Sequence, residues 1–348
     1  MKSLRDISWL VDEPTYRANE ALSYSTISKF YREGFEKIAT LFDNESSPSL
    51  SFGSMVDTLL TDGQDAFNAK YFVCTVPIVS DDFKNVALAI KYEIGNACNS
   101  LYELSDKKIV EYLDRFGIYQ NNWKAETKAD KVRSGVNLYY QMLLKSKGKE
   151  IVDTETFNDV MKCVNALKTN EATEFYFRED NRFDNIQRFY QLKYKGEYNK
   201  IPIRCMMDLA VVDHNKKTIT PCDIKTCSEP EYLFPRSFIK YTYWMQAQLY
   251  TYLLKQTIEK DEYFKDFTIL PWKFIVVSRY TTSPKVWEFA GYDADGDIEI
   301  KAETKNIKLK SWKNVVTELK YYLDHKPNSP IGIEESKPNS IIAALEKW

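Results

Sequence analysis

Three residues in one short stretch have the types and spacing for chemistry at a phosphate. The stretch is IPIRCMMDLAVVDHNKKTITPCDIKTCS, residues 201–228, and the three are Asp208, Asp223 and Lys225. Two neighbouring carboxylates repel each other, and a hard divalent cation relieves that repulsion. A cation held there polarises a scissile phosphate and lowers the pKa of a bound water. A lysine beside it orients the attacking water or offsets charge as the pentavalent state forms. Oxygen ligands without His or Cys favour Mg²⁺, with Mn²⁺ as a substitute, over Zn²⁺. Asp-x-Lys alone is a common surface triplet, so the weight rests on whether the chain brings Asp208 to it.

The strand pattern predicts that it does. Ile203, Cys205, Met207, Leu209 and Val211 alternate with Arg204, Met206, Asp208, Ala210 and Val212. The odd positions form an unbroken apolar face, which predicts Asp208 on the opposite face. The segment DHNKK supplies turn residues, and TITPCDIKT resumes the strand pattern. A loop at Asn215-Lys216 and a longer one at His214–Lys217 give the same register, with Asp208 directly opposite Asp223. Directly opposed residues share a face, with Cβ atoms about 5 Å apart. Lys225 lies two residues on and shares it too.

The elements around this hairpin are read from periodicity. Ser25 is a candidate N-cap for a helix through about Phe42, with Ile27, Phe30, Tyr31, Phe35, Ile38 and Leu41 on its apolar side. NESSPSLSFG reads as a loop, and Phe52, Met55, Val56, Leu59 and Leu60 as the apolar side of the next helix. Helical patterns follow near 82–114, 120–146 and 154–169, and strands begin near 184. A long helix is expected from about Phe238 to Glu259, then strands WKFIVVSRY and KVWEFAGY, and a closing helix over 306–325. This order predicts a mixed α/β core with a helical N-terminal elaboration.

These residues resemble the RecB-type nucleases of the PD-(D/E)xK superfamily. Asp208, then Asp223-Ile224-Lys225-Thr226, looks like that family's D…(D/E)xK-T core. Gln246 and Tyr250 in YWMQAQLYTYLL fit its QxxxY helix, and their spacing puts both on one helix face. Upstream, ALSYSTISKFY resembles its SxS helix start, and SFGSMVDTLL its G-x-x-x-H helix. Here the pattern departs, because Asp57 stands at the histidine position, four residues after Gly53. In layout the chain is most similar to the phage-type recombination exonucleases, the RecE and lambda-exonuclease-like group. GKEIVDTETFNDVMKCVNALKTN resembles the helix before their strand meander. The resemblance covers roughly 20–65 and 149–260.

The resemblance implies a restriction-endonuclease-like core, a central mixed sheet flanked by helices, in a single nuclease domain over 1–348. Its motif helices would lie at 20–65, a helical elaboration at 80–170, the catalytic core at 184–325 and a tail at 326–348. It implies Asp208, Asp223, Lys225, Gln246 and Tyr250 as the catalytic set. The metal ligands would be Asp208, Asp223, the Ile224 backbone carbonyl and Asp57, since an aspartate also ligates a hard cation. Ser25 would contact DNA. The implied activity is a Mg²⁺-dependent cut of double-stranded DNA from 5′ ends. It leaves 3′ single strands for an annealing protein, often from a homo-oligomeric ring. The cysteine-bound iron–sulfur cluster of some relatives is not expected, because no cysteine follows Cys227.

Composition bounds the alternatives. The chain has 348 residues, 44% apolar or aromatic and 28% charged, with a net charge of -2. Such a chain builds a large core, and a DNA enzyme with this balance needs local basic patches. Two histidines leave little room for Ser-His-Asp catalysis or multi-His zinc. Six cysteines without a CxxC pair suit a reduced interior, and no apolar run suggests a leader or membrane span. The expectation is a cytoplasmic protein of a bacterial or phage-infected cell, with no membrane partner. Residues 121–150 hold seven Lys/Arg and three acidic residues. Lys124, Lys128 and Lys131 make one helical stripe that can track phosphates, although such a run is also an ordinary solvated face. Two other readings stay open: a catalytically inactive DNA-binding scaffold, and an endonuclease of the same superfamily.

Overall fold

Residues 186–227 form three long strands, β1 (Ile186–Tyr198), β2 (Ile201–Asp213) and β3 (Thr218–Cys227). Asn199 and Lys200 join the first two with φ of 49° and 64°, the left-handed pair that a two-residue hairpin turn requires. At the second turn Asp213 Oδ1 accepts from the amides of Asn215 and Lys216 at 3.0 and 2.9 Å. That side-chain bond mimics a backbone turn. The resulting β2–β3 register is the predicted one, Leu209 opposite Cys222 and Val212 opposite Ile219. The ladder ends at Leu209–Cys222, so Asp208 and Asp223 stand one step past its last rung.

Beyond Cys222, β3 changes partner. It pairs in parallel with β5 (Trp272–Ser278), aligning Asp223 with Phe274 and Lys225 with Val276. The short β4 (Thr268–Ile269) also runs parallel to the start of β3, and β6 (Lys285–Phe289) closes the edge against β5. The sheet is six-stranded and mixed, in the order β1-β2-β3-β5-β6 with β4 beside β3. Nearly every residue of β5 is buried, as expected of a parallel strand covered on both faces.

Four helices pack with this sheet into one core. These are α1 (Tyr24–Glu33), α2 (Phe234–Lys240), α3 (Tyr243–Ile258) and α4 (Trp312–His325). α3 lies on β1 and β2, and α1 packs on α3 and α4. On the opposite face Arg188 reaches the Phe175 carbonyl at 2.9 Å and pairs with Asp180 at 2.8 Å.

The helix boundaries differ from the periodic reading in several places. Ser23, extended at φ -109°, is the N-cap of α1, so the expected cap Ser25 lies inside the first turn. α1 ends at Gly34, whose φ of 76° with ψ of -169° is a conformation that glycine adopts without strain, and a 3-10 turn (Phe35–Thr40) replaces the expected continuation to Phe42. Part of the expected loop is helical: a helix spans Pro48–Thr61, with Ser47 Oγ accepting from the Leu50 amide at 3.2 Å. The expected helix over 238–259 is two helices, separated at Thr242 with φ 58° and ψ 38°. The closing helix starts at Trp312. Residues 306–309 before it pair with Ile298–Lys301 as a small antiparallel sheet.

β2 departs from simple alternation. Ile201, Ile203, Cys205 and Met207 share a cluster not with Leu209 but with Ala210 and Val212. The face therefore changes phase across Asp208 and Leu209. Opposite, Gln191 has φ 54°, and the β1–β2 register passes from Tyr190–Leu209 to Leu192–Met207 around it. The register is the same on both sides, so no residue is inserted, and the left-handed Gln191 marks where the strand face turns. The expected face opposite Asp208, apolar throughout, is thus corrected. The core seen from α3 takes odd residues before Asp208 and even ones after it.

The described residues are 1–43, 47–75, 77–119, 122–180, 185–301 and 306–325, and the expected tail at 326–348 falls outside them. The sheet and its helices belong to one compact unit, Met1–Gly53 with Cys163–Trp348, and Ser54–Lys162 form a second. In the second unit helices Asp81–Ile94, Asp106–Arg115 and Ala125–Lys145 enclose Val86, Ile90, Ile109, Leu113, Val132 and Tyr140. Gly95 at φ 61° and the cap Ser105 split what periodicity reads as one helical stretch over 82–114. No helix among the described residues is long and apolar enough to cross a membrane.

His214 sits at the β2–β3 turn between the Gln187 Oε1 at 2.8 Å and the Tyr263 hydroxyl at 2.9 Å. Burial holds its pKa below the ordinary 6.5; the N-terminal ammonium adds to this and Asp213 opposes it. Below pH 6.5 the unfolded chain therefore binds more protons at this residue than the folded one. Its stabilising contribution is present above pH 6.5 and is lost as pH falls through the lower folded value. His214→Gln is expected to flatten the fall in melting temperature between about pH 7 and pH 5. Thermal melts of both proteins check this, and parallel pH profiles would refute it.

Candidate active site

The end of β3 carries a closed ring of three polar side chains. Asp223 is 1% exposed, and its Oδ2 lies 2.6 Å from the Lys225 ammonium. Its Oδ1 accepts from the Gln246 amide nitrogen, and Gln246 Oε1 accepts from Lys225 at 3.1 Å. A glutamine's primary amide offers a donor to the carboxylate and an acceptor to the ammonium at once. Gln246 reaches both because α3 restarts after Thr242. The Thr242 Oγ1 bonds Ser28 Oγ at 2.8 Å, and Ser28 also donates to the Tyr241 carbonyl at 3.2 Å. These bonds hold a left-handed, non-glycine residue that costs about 1–3 kcal/mol in strain.

Asp208 joins from β2. Its Oδ2 accepts from the Ile224 amide at 3.0 Å. The amide and carbonyl of one strand residue leave by the same edge, so the Ile224 carbonyl projects along the edge that faces Asp208. Asp223 Oδ2 is buried and accepts no aligned hydrogen bond, so the lysine's charge answers it. Two carboxylates and a main-chain carbonyl make an all-oxygen donor set. It fits a hard divalent cation that keeps some ligand positions for water and phosphate, the habit of Mg²⁺. Among the described residues no group of three or more His, Cys, Asp or Glu is placed to hold a metal.

Burial disfavours a charged Lys225, but Asp223, then Tyr243 and Asp208, outweigh it and raise its pKa above the usual lysine value. It is therefore an ammonium at neutral pH, a donor and a charge rather than a base. Its Nζ lies 4.5 Å from the Tyr243 ring centroid. Burial raises the Tyr243 and Tyr24 hydroxyls, against the pull of the Lys225 charge. Tyr24 donates to the Tyr241 carbonyl. The pair forms an aromatic collar for the lysine that pattern reading missed. The signals were present: Tyr24 stands between Ser23 and Ser25, and Tyr243 lies one helical turn before Gln246.

The remaining expected residues fall as follows. Tyr250 is buried one turn beyond Gln246, its ring 5.8 Å from Trp272. Burial holds its hydroxyl protonated, and the fields of Asp223 and Asp208 add to this. Ser25 is exposed, and its hydroxyl meets Ser23 Oγ at 2.8 Å. Asp57 belongs to the second unit, half-buried on helix Pro48–Thr61. Lys124, Lys128 and Lys131 are also in that unit. Lys124 is the N-cap of helix Ala125–Lys145, and Lys131 Nζ lies 5.0 Å over the Trp123 ring.

No family model matches this sequence, and no curated protein matches it. A solved structure from Eubacterium rectale that bears the name "Putative exonuclease" is similar at 12% identity with a TM-score of 0.42. The match covers 82% of this chain and 80% of that one.

The buried ring makes a stability prediction independent of any activity. Lys225→Met leaves the Asp223 carboxylate buried without its cation, which is expected to cost about 3 kcal/mol. The double variant Asp223→Asn/Lys225→Met is expected to lose clearly less than the sum of the two single losses. Denaturant titrations measure all three, and simple additivity would show that the pair is not coupled.

Proposed function

We propose that the chain is a divalent-metal-dependent deoxyribonuclease acting on the ends of duplex DNA. The observation that carries this reading is the Asp223–Lys225–Gln246 ring, with Asp208 bonded to the amide between Asp223 and Lys225. Burying a carboxylate against a half-buried lysine costs stability that a surface pair would not. That expense is characteristic of sites where charge is held ready for a reaction.

Asp208, Asp223 and the Ile224 carbonyl would hold Mg²⁺, or Mn²⁺ in its place. When bound, the metal supplies Lewis-acid polarisation of the scissile phosphate and a water acidified for attack. The protein's own groups do the rest. Lys225, kept cationic, donates to the phosphate oxygen or the attacking water and offsets the charge that builds there. Gln246 fixes the lysine's position, and the Tyr243 ring limits its swing. The buried Tyr250 keeps the cluster's flank dry, which strengthens these interactions. Ser25, exposed in the first turn of α1, is read as a DNA contact. Cutting from 5′ ends, a ring of copies and an annealing partner enter from the sequence resemblance, and a cytoplasmic setting from the cysteine usage.

The inactive DNA-binding reading draws support from the donor set itself, since among the described residues no group of three or more His, Cys, Asp or Glu is placed to hold a metal. Digestion of end-labelled linear duplex and of closed circular DNA, with and without Mg²⁺, separates the readings. Metal-dependent loss from ends is expected for the wild type. Asp208→Asn is expected to lower the rate at least ~100-fold, the scale of one electrostatic catalytic group. Cutting of circles would make it an endonuclease. Binding without cutting, at any Mg²⁺ or Mn²⁺ concentration, would leave the scaffold.

In the second unit, the Lys124, Lys128 and Lys131 stripe beside Trp123 is read as a phosphate track. Reversing all three to Glu is expected to weaken DNA binding at low salt and to flatten the salt dependence by about 2–3 units of log–log slope. An unchanged slope would return the stripe to a solvated face.

A further inference from the structure

The turn after β5 has been built with unusual care for a surface loop. It follows Ser278, which pairs with Cys227 at the end of β3, so it begins three residues beyond the Lys225–Val276 rung. Ligands of sheets with parallel strands collect at this carboxyl end. Beneath the turn lies Glu231, 2% exposed. Its Oε1 accepts from the Ser278 and Ser283 amides at 2.9 and 2.7 Å, and its Oε2 from the Thr281 hydroxyl. Its backbone carbonyl accepts from the Trp287 indole at 3.2 Å. Ser278 Oγ accepts from the Tyr280 amide at 3.2 Å, and the Thr282 amide donates to the Ser278 carbonyl at 3.1 Å. Thr282 itself has φ 44°.

A carboxylate buried this way is expensive unless strong hydrogen bonds satisfy it. Here the bonds converge on one short turn and fix its shape. What the turn displays is Tyr280, 70% exposed. The Arg279 guanidinium lies 5.8 Å over that ring and 5.1 Å over the ring of Phe52, while the Arg279 amide donates to the Cys227 carbonyl at 2.8 Å. A large apolar ring held in water by a rigid turn gains nothing for folding. It has already met the ordering cost that a contact residue would otherwise meet on binding.

We propose that the Arg279–Tyr280 turn is a stacking platform for a nucleobase of an unpaired nucleotide in the DNA strand led to Asp223 and Lys225. The proposal rests on the nuclease reading for its ligand. A tyrosine face accepts any base, and an adjacent guanidinium adds a cation for the backbone, the combination used for single strands without sequence preference. The substrate it specifies is DNA with a frayed or single-stranded nucleotide near the cut, rather than fully paired duplex.

The test uses the full chain with Ca²⁺ in place of Mg²⁺ and short DNA carrying 2-aminopurine at successive positions near one end. Stacking quenches that base. The wild type and Tyr280→Phe are expected to quench one position. Tyr280→Ala is expected to lose the quench and bind about 10-fold more weakly, within the range measured for one base–aromatic stack. Glu231→Gln, which loosens the turn but keeps the ring, is expected to quench partially. Equal quenching by Tyr280→Ala and wild type, or no quenching by wild type at any position, overturns the proposal. Digestion with Mg²⁺ is read separately. Quenching without cleavage defeats the nuclease reading alone, and cleavage with an unaffected Tyr280→Ala defeats the platform alone.

Discussion

The ion pair between Asp223 and Lys225 is the interaction on which the rest of this unit depends. A carboxylate with 1% exposure has to be answered by partners within reach. Lys225 answers it from the same strand, because residues two apart share a face. Gln246 answers both from a helix. That helix must therefore start at one place and run at one angle across β1 and β2. The left-handed Thr242, clamped by Ser28, sets that start. α1 is in turn fixed by its need to present Ser28 and Tyr24 to the Tyr241 carbonyl. One charge pair thus constrains three elements distant in sequence.

The same pair decides what the lysine can do. Near two carboxylates and against aromatic rings, it is held as an ammonium across the neutral range. A reaction at this site would have to draw its base from elsewhere, from a bound water or from the substrate itself. The tyrosines around it stay protonated and uncharged, so they leave the lysine and the two carboxylates to set the charge of the site. A phosphate diester, with one negative charge, meets such a site most easily once a cation has tipped the balance.

The hairpin was legible because its determinants are local. Asp213, the turn residues after it and the polar-to-apolar alternation before it specify the register without help from the rest of the chain. Gln246 was legible by its motif and spacing. The phase change in β2 was not. Leu209, Ala210, Val211 and Val212 are all apolar, so a shift of face leaves no mark in the pattern. The break at Thr242 was hidden for a similar reason, since Ser28 lies more than two hundred residues away. Gly34 did carry its signal, and a stricter weighting of glycine would have ended α1 there. The collar of Tyr24 and Tyr243 was obscured by number, because 24 tyrosines compete for notice and most of them simply pack.

The step in β2 has a bearing on how this sheet assembles. Two regular strands can slide past each other by two residues and recover every hydrogen bond with each face still correct. β1 and β2 cannot, because Gln191 in its left-handed state has to meet the turn of face at Asp208. A shifted pairing would set an ordinary β-residue against the kink and an apolar one against water. The feature works as a detent, a notch that a sliding ladder falls into at a single position. The notch lies at Gln191 and Asp208, so the residue that indexes the sheet stands across from the aspartate beside the Asp223–Lys225 pair.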